Sequence, residues 1–246
     1  MSDNAQAGFH IVIPARHDSQ RLPGKPLREI NGKPMIQWVW QAAMQAGAEK
    51  VIVATDDQRI ADVVAGFDGE ACLTSSSHQS GTDRILEVAQ LGGWDADQIV
   101  VNLQGDEPLM PPENMTQVAS IVSARDCDMA TLHKPVKTDQ VDDPDLVKLV
   151  HDQQGRALYF SRSRIPFHRN GPTPVYRGHI GIYAYRVRFI EIFSRLRPSL
   201  LEQTESLEQL RALDHGYSIH TEVARAEPGP GVDTESDLRQ VAAMLE

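Results

Sequence analysis

The chain has 246 residues, 41% apolar and 24% charged, which suits one large α/β domain with enough apolar content to bury a core. Acidic residues outnumber basic ones 34 to 24, for a formal charge of -10. That balance speaks against broad nucleic-acid binding, which favours a basic face, but leaves room for a small anion held by a few clustered cations.

Met1 to Gly8 is polar and carries Asp3. It lacks the basic start and apolar stretch of a signal peptide and reads as a frayed tail. Phe9–Pro14 is the first expected strand, followed by a helix with Met35, Trp38, Val39, Ala42 and Ala46 on one face and Gly47 where the helix would stop. Val51–Thr55 is the second strand, and Ile60, Val63, Val64 and Phe67 mark the second helix. Ile85, Val88 and Ala89 mark a third helix, Ile99–Leu103 a third strand, Val118, Ile121 and Val122 a fourth helix, and Met129–Leu132 a fourth strand. Such alternation implies a mostly parallel sheet covered on both faces. Beyond Pro135 the pattern loosens. Val147–His151 and Ala157–Phe160 read as strands around the turn Gln154-Gly155, Pro166–Tyr176 as a proline-rich loop, and Ile180–Tyr185 as a strand. Helices are expected near Val187–Leu196 and Gln203–Asp214, a strand at Tyr217–Val223, and a last helix from Glu235, with Thr234 and Asp237 at capping-box spacing.

Cys72 and Cys127 are the only cysteines, with no CxxC and no Cys/His cluster, so a zinc site or disulfide framework is not expected and a reducing cytoplasm fits. No run approaches the roughly 20 apolar residues of a membrane span.

In open α/β sheets ligands gather at the carboxyl ends of the strands. The loop leaving the first strand carries Arg16, Arg21 and Lys25 within ten residues, together with Gly24. Clustered cations and free backbone N–H groups suit a polyphosphate, although a solvated basic loop would look similar. No Walker motif or GxGxxG is present, which lowers the case for a P-loop ATPase or an NAD dehydrogenase. The third strand leaves into Asn102-Leu-Gln-Gly-Asp-Glu-Pro108, placing Asp106 and Glu107 where hard oxygens suit Mg²⁺ shared with phosphates. A simple Gly-Asp turn is the alternative there. Gln104 can hydrogen-bond a base or a sugar. Asp233 precedes the last helix in a rigid Pro/Gly loop, a place where acidic residues are also common for capping reasons alone. Arg84 falls in the first turn of the third helix; its plain alternative is a surface arginine paired with Asp83 or Glu87.

Taken together, IPARHDSQRLPGKPLREINGKPMI, VATDD, HQSGTDRI, VNLQGDEPLMPP, ALYFSRSRIPF, GHIGIYAYR, LEQLRAL and PGPGVDTESDL, in this order, resemble the 3-deoxy-manno-octulosonate cytidylyltransferases, or CMP-Kdo synthetases. The resemblance runs from about Phe9 to the C-terminus. It implies a Rossmann-like nucleotidyltransferase α/β/α sandwich spanning residues 1–246 as a single domain. Within it, an insertion at about 135–185 contributes to the sugar site and a dimer contact. It further implies transfer of CMP from CTP to Kdo with Mg²⁺, in the cytoplasm, by a homodimer feeding lipopolysaccharide assembly. By resemblance, Ala15, Arg16, Arg21, Lys25, Ser80, Arg84 and Gln104 serve CTP, with Gln104 near the cytosine. Asp106 and Asp233 bind metal and, with Lys25, form the catalytic group. Arg162, His179, Tyr183, Glu208 and Gln209 serve the sugar acid. His17 departs from the tyrosine frequent in the family, and Arg164 stays unassigned. The rival readings are a cytidylyltransferase for a related sugar acid, a glycosyltransferase (whose usual DxD-type metal motif after a strand is not supplied by Asp56-Asp57 or Gly105-Asp106-Glu107), and a non-catalytic nucleotide-binding module.

Overall fold

The computed structural model describes residues 8–17, 22–78, 80–125 and 127–245. Strand β1 (Phe9–Ala15) is buried along its whole length, as a strand covered on both faces must be. After a short 3₁₀ turn (Lys25–Leu27) and a small hairpin of β2 (Glu29–Ile30) and β3 (Lys33–Pro34) come α1 (Met35–Met44), β4 (Lys50–Thr55), α2 (Gln58–Ala65), β5 (Glu70–Leu73) and α3 (Gly81–Leu91). The chain continues through β6 (Ile99–Asn102), α4 (Pro112–Arg125), β7 (Met129–Val136), β8 (Lys148–His151), β9 (Ala157–Ser161) and β10 (Tyr176–Arg186). It closes with α5 (Val187–Phe193), α6 (Leu200–Glu205), α7 (Gln209–Asp214), β11 (Ile219–Val223) and α8 (Glu235–Met244).

The main sheet has nine strands in the order β11-β7-β10-β6-β1-β4-β5, with β8 and β9 extending from β10. Strands β6, β1, β4 and β5 are mutually parallel, and β10 runs antiparallel to both β6 and β7. The chain steps outward from β1 to β4 and β5, then returns to β6 on the other side of β1. That reversal opens a crevice at the carboxyl ends of β1 and β6, where ligands of such sheets bind. Alternate β1 residues face opposite layers. Ile11 and Ile13 pack with Ile36 and Val39 of α1 and Val118 of α4, while Val12 packs with Ile85 and Val88 of α3. A third, smaller cluster joins Leu22, Ile30 and Met35 to Val232, Leu238 and Val241. It docks α8 onto the hairpin and so brings the last loop of the chain beside the first.

The α/β reading and the main strands agree with the structure, with three differences. Strand β5 was not anticipated; it is an edge strand without buried residues, so it lacks the apolar run that marks the others. The β2–β3 hairpin was missed because each arm has only two residues. The expected helix Gln203–Asp214 is two helices, broken where Ser206 takes a left-handed conformation, φ 53°. No helix among the described residues is long and apolar enough to cross a membrane.

Candidate active site

Two loops meet across the crevice. Gly105 follows β6 so closely against β1 that a Cβ there would stand 2.8 Å from the Pro14 carbonyl oxygen, a contact only glycine escapes. Val232 N–H donates to the Asp106 carbonyl at 2.9 Å, tying the β6 loop to the loop before α8. Gly24, at φ 65°, turns the opening loop so that Lys25 points back into the crevice. The Lys25 ammonium then donates to Asp106 Oδ2 at 2.7 Å, to Asp233 Oδ1 at 2.9 Å and to the Val232 carbonyl at 2.9 Å. Residues 81 and 208 positions away along the chain, respectively, are thus within reach of one nitrogen.

Burial disfavours the Lys25 charge, but Asp106 and Asp233 outweigh it and raise the ammonium above its ordinary value. Glu107, next in the loop, is pushed up to about 8 by burial, with the charges of Asp106 and Asp233 adding to the effect. Asp233 is held by its backbone N–H donating to Asp237 Oδ2 at 3.0 Å, and the expected Thr234–Asp237 capping box is formed.

A cavity of about 220 Å³ is lined by Ala15, Arg16, Lys25, Gln104 and Asp106. Arg16 Nη2 is buried there without a hydrogen-bond partner among the described residues, a cationic donor suited to an incoming anion. Across Asp106 lies a second cavity, of about 740 Å³, whose walls include Glu107, Asp143, Asp145, Arg162 and Asp233. Arg162 reaches it while Nε donates to the Glu205 carbonyl at 2.8 Å and Nη1 to the Pro144 carbonyl at 2.9 Å. Arg21 lies outside the described residues.

Ser80 caps α3 and accepts from Asp83 N–H at 3.1 Å. The surface reading of Arg84 is corrected by the structure. The side chain is fully buried; it pairs with Asp56 Oδ2 at 2.8 Å and bonds the Thr74 hydroxyl, crossing the ends of β4 and β5 rather than meeting Asp83 or Glu87.

The expected sugar-side residues divide into two groups. Arg162 stands with the aspartates. Tyr183, Glu208 and Gln209 instead surround a small cavity of about 20 Å³, together with Thr82 and Tyr185. His179 lies beside Tyr183, ring centroids 5.4 Å apart, and its Nε2 shares a 3.0 Å hydrogen bond with Thr131 Oγ1. Burial pushes His179 down to about 3, so it meets a ligand as a neutral imidazole, not as a cation. Burial likewise raises Glu208, against the hydrogen bonds of Ser80 and Thr82. Thr82, Asn102 and Asp56, which hydrogen-bond Glu208, Gln104 and Arg84, and Tyr185, which lines the small cavity, were not singled out from the sequence. They lie inside the quoted motifs GTDRI, VNLQGDE, GIYAYR and VATDD, but their roles come from cross-strand contacts that no spacing reveals.

A switch-point crevice with clustered cations and two converging carboxylates is a nucleotide-handling site of the α/β class. The cytidylyltransferase family profile matches residues 10–219. A relative from Aliivibrio fischeri named 3-deoxy-manno-octulosonate cytidylyltransferase is 52% identical, over 96% of this chain and 98% of its own. One of the same name from Pseudomonas fluorescens is 52% identical over 98% and 99%. A solved structure of CMP:2-keto-3-deoxy-manno-octonic acid synthetase complexed with CTP superposes with a TM-score of 0.91 at 45% identity, covering 97% of this chain and 98% of that one. This chain belongs to the cytidylyltransferase family, among the 3-deoxy-manno-octulosonate cytidylyltransferases, and is a nucleotidyltransferase.

Proposed function

We propose that the protein transfers CMP from CTP to the anomeric C2 hydroxyl of Kdo, releasing pyrophosphate. The convergence of Asp106 and Asp233 on one cationic nitrogen carries this reading. It is also the fit test for a divalent metal. Two hard carboxylates already neutralise a cation between them, and among the described residues no cluster of three or more His, Cys, Asp or Glu would hold an ion alone. Such a donor set suits Mg²⁺, which takes one or two carboxylates and completes its shell with water and substrate oxygens. When bound, the ion supplies Lewis-acid stabilisation of charge and lowers the pKa of an oxygen it touches.

The remaining work falls to side chains of this chain. Arg16, Arg21 and Lys25 draw the triphosphate into the opening loop, and Lys25, on its flexible stem, carries positive charge to the departing pyrophosphate. Ala15, Ser80 and Gln104 line the nucleotide side, and Arg84 serves it through the ends of β4 and β5. Arg162 faces the carboxylate of the sugar acid. His179, Tyr183, Glu208 and Gln209 hydrogen-bond hydroxyls as uncharged or acceptor groups. The C2 oxygen forms its bond to the α-phosphorus as the bond to the bridging oxygen breaks, and the hydroxyl proton is released. No covalent enzyme intermediate is needed, since positioning and electrostatics supply most of the rate. We assign residues of about 135–185 to the sugar side and a homodimer contact, and the reaction to the cytoplasm as a step supplying lipopolysaccharide assembly.

Pyrophosphate release tests the reading. It is expected with CTP, Kdo and Mg²⁺ together and not when any one is omitted. Release sustained in a chelator, or with sialic acid in preference to Kdo, overturns it.

A further inference from the structure

A short hydrogen-bond chain runs from Tyr185 through Asn102 to Gln104. The Thr82 hydroxyl donates to Glu208 Oε2 at 3.0 Å. The Tyr185 phenol accepts from Asn102 Nδ2 at 3.5 Å. Asn102 is left with Oδ1 on its other side, where Gln104 Nε2 donates at 3.3 Å. Thr82, Asn102 and Tyr185 are 2%, 3% and 4% exposed, so water does not compete for these groups. Gln104 Oε1 stands at the end of the chain, on a side chain that lines the cavity with Arg16 and Lys25.

We propose that Asn102 and Tyr185 are positioning residues for base selection. This hydrogen-bond chain holds the Gln104 amide with its carbonyl oxygen toward the base, so the site takes a pyrimidine with an exocyclic amino donor and disfavours one with a carbonyl there. This rests on the reading of Gln104 as a base contact given above. Cytosine offers the donor. Uracil would set two acceptors against each other, and Gln104 cannot turn over without breaking its bond to Asn102. Neither Asn102 nor Tyr185 needs to touch the ligand.

The test measures kcat/KM for CTP and for UTP with Kdo and Mg²⁺. Asn102→Leu cuts the chain beside Gln104 and frees the amide to rotate. The CTP-to-UTP ratio is expected to fall by about tenfold or more, because discrimination by a fixed polar partner is lost. A packing role alone would slow both nucleotides alike and leave the ratio unchanged. Tyr185→Phe removes one hydroxyl while keeping the ring, and a smaller fall is expected even if the leucine variant folds poorly. Gln104→Glu presents an acceptor whichever way it turns, so Asn102→Leu/Gln104→Glu is expected to recover the ratio at reduced turnover. An unchanged ratio in both single variants overturns the proposal, as does a change confined to KM for Kdo. A wild-type protein that releases no pyrophosphate from CTP and Kdo sinks the proposed function instead. The relay is then judged by the same ratio taken from CTP and UTP dissociation constants.

Discussion

Lys25, Asp106 and Asp233 have side chains 14%, 33% and 46% exposed and face one another as ion pairs. His179, Tyr183, Glu208 and Gln209 stand against an aromatic wall that runs from Phe160 through His179 and Tyr183 to Tyr185. There, burial lowers the histidine and raises the tyrosines and the glutamate. One side of the site is assembled to hold ions; on the other, the more neutral side, burial disfavours the charged forms. The difference matches a reaction that joins a polyanion to a polyhydroxylated acid. It also sets how sharply each side should respond to a single substitution, since the ionic side depends on opposed charges and the neutral side on desolvation.

The largest effect is expected at the ionic side. Asp106→Asn keeps the shape of the side chain but removes one of two charges available to a divalent cation. Turnover should fall by about a hundredfold or more, with a higher Mg²⁺ concentration needed for half-maximal rate. The melting temperature should move little, because Lys25 retains Asp233 and the Val232 carbonyl. Steady-state pyrophosphate release across a Mg²⁺ titration, beside a thermal melt, measures both. Near-normal turnover removes Asp106 from the metal-binding pair.

The neutral side should reveal itself through acid sensitivity. Burial pushes His133 down to about 4 and His179 to about 3, both below the ordinary imidazole value. Around His133 stand Thr221 at 2.9 Å, the His151 ring at 5.1 Å and Arg177; around His179 stand Thr131, Phe160 and Tyr183. Between roughly pH 6.5 and those lowered values the unfolded chain binds more protons than the folded one, so stability rises with pH through that window. It is fully present above the unfolded value and is lost on acidification, by on the order of 1–2 kcal/mol per ring between pH 7 and 5. Urea unfolding at the two pH values measures it, and His133→Gln should flatten the dependence. Equal slopes in wild type and variant would mean that His133 is well solvated after all.

The contrast also explains what could be read from the chain before its structure. Buried parallel strands announce themselves as short apolar runs, so β1, β4 and β6 and the loops leaving them were legible, and with them Arg16, Lys25 and Asp106. Asp233 itself was singled out as a metal ligand only by resemblance, but the Thr234–Asp237 cap beside it was legible, and the fold realises it. The partners of Arg84 were not, because Asp56 and Thr74 reach it from the ends of two other strands, one of them the unanticipated β5. The neutral side was legible only by resemblance. Tyr183 faces Asn102 on one side and Thr131 on the other, pairings set by the antiparallel placement of β10 between β6 and β7 and by its register shift between Ile180 and Tyr183. A register of that kind depends on tertiary packing and leaves no local pattern.

The smallest expected effect lies where the two descriptions meet, at the cap of α8. Thr234 accepts from Asp237 N–H at 3.3 Å, while Asp237 Oδ2 takes hydrogen bonds from the backbone N–H groups of Asp233 and Thr234. Thr234→Ala removes the hydroxyl and should cost about 1 kcal/mol of stability. The carboxylate of Asp237 remains to hold Asp233, and Leu238 and Val241 still pin the helix to the hairpin. Asp233 should therefore keep its place near Lys25 and lose only some of its rigidity. The Mg²⁺ concentration for half-maximal rate is expected to rise a few-fold with kcat nearly unchanged, the reverse of the Asp106→Asn pattern. A loss of kcat as large as that of Asp106→Asn would mean that the cap, and not the small apolar cluster beneath α8, holds the second carboxylate in place.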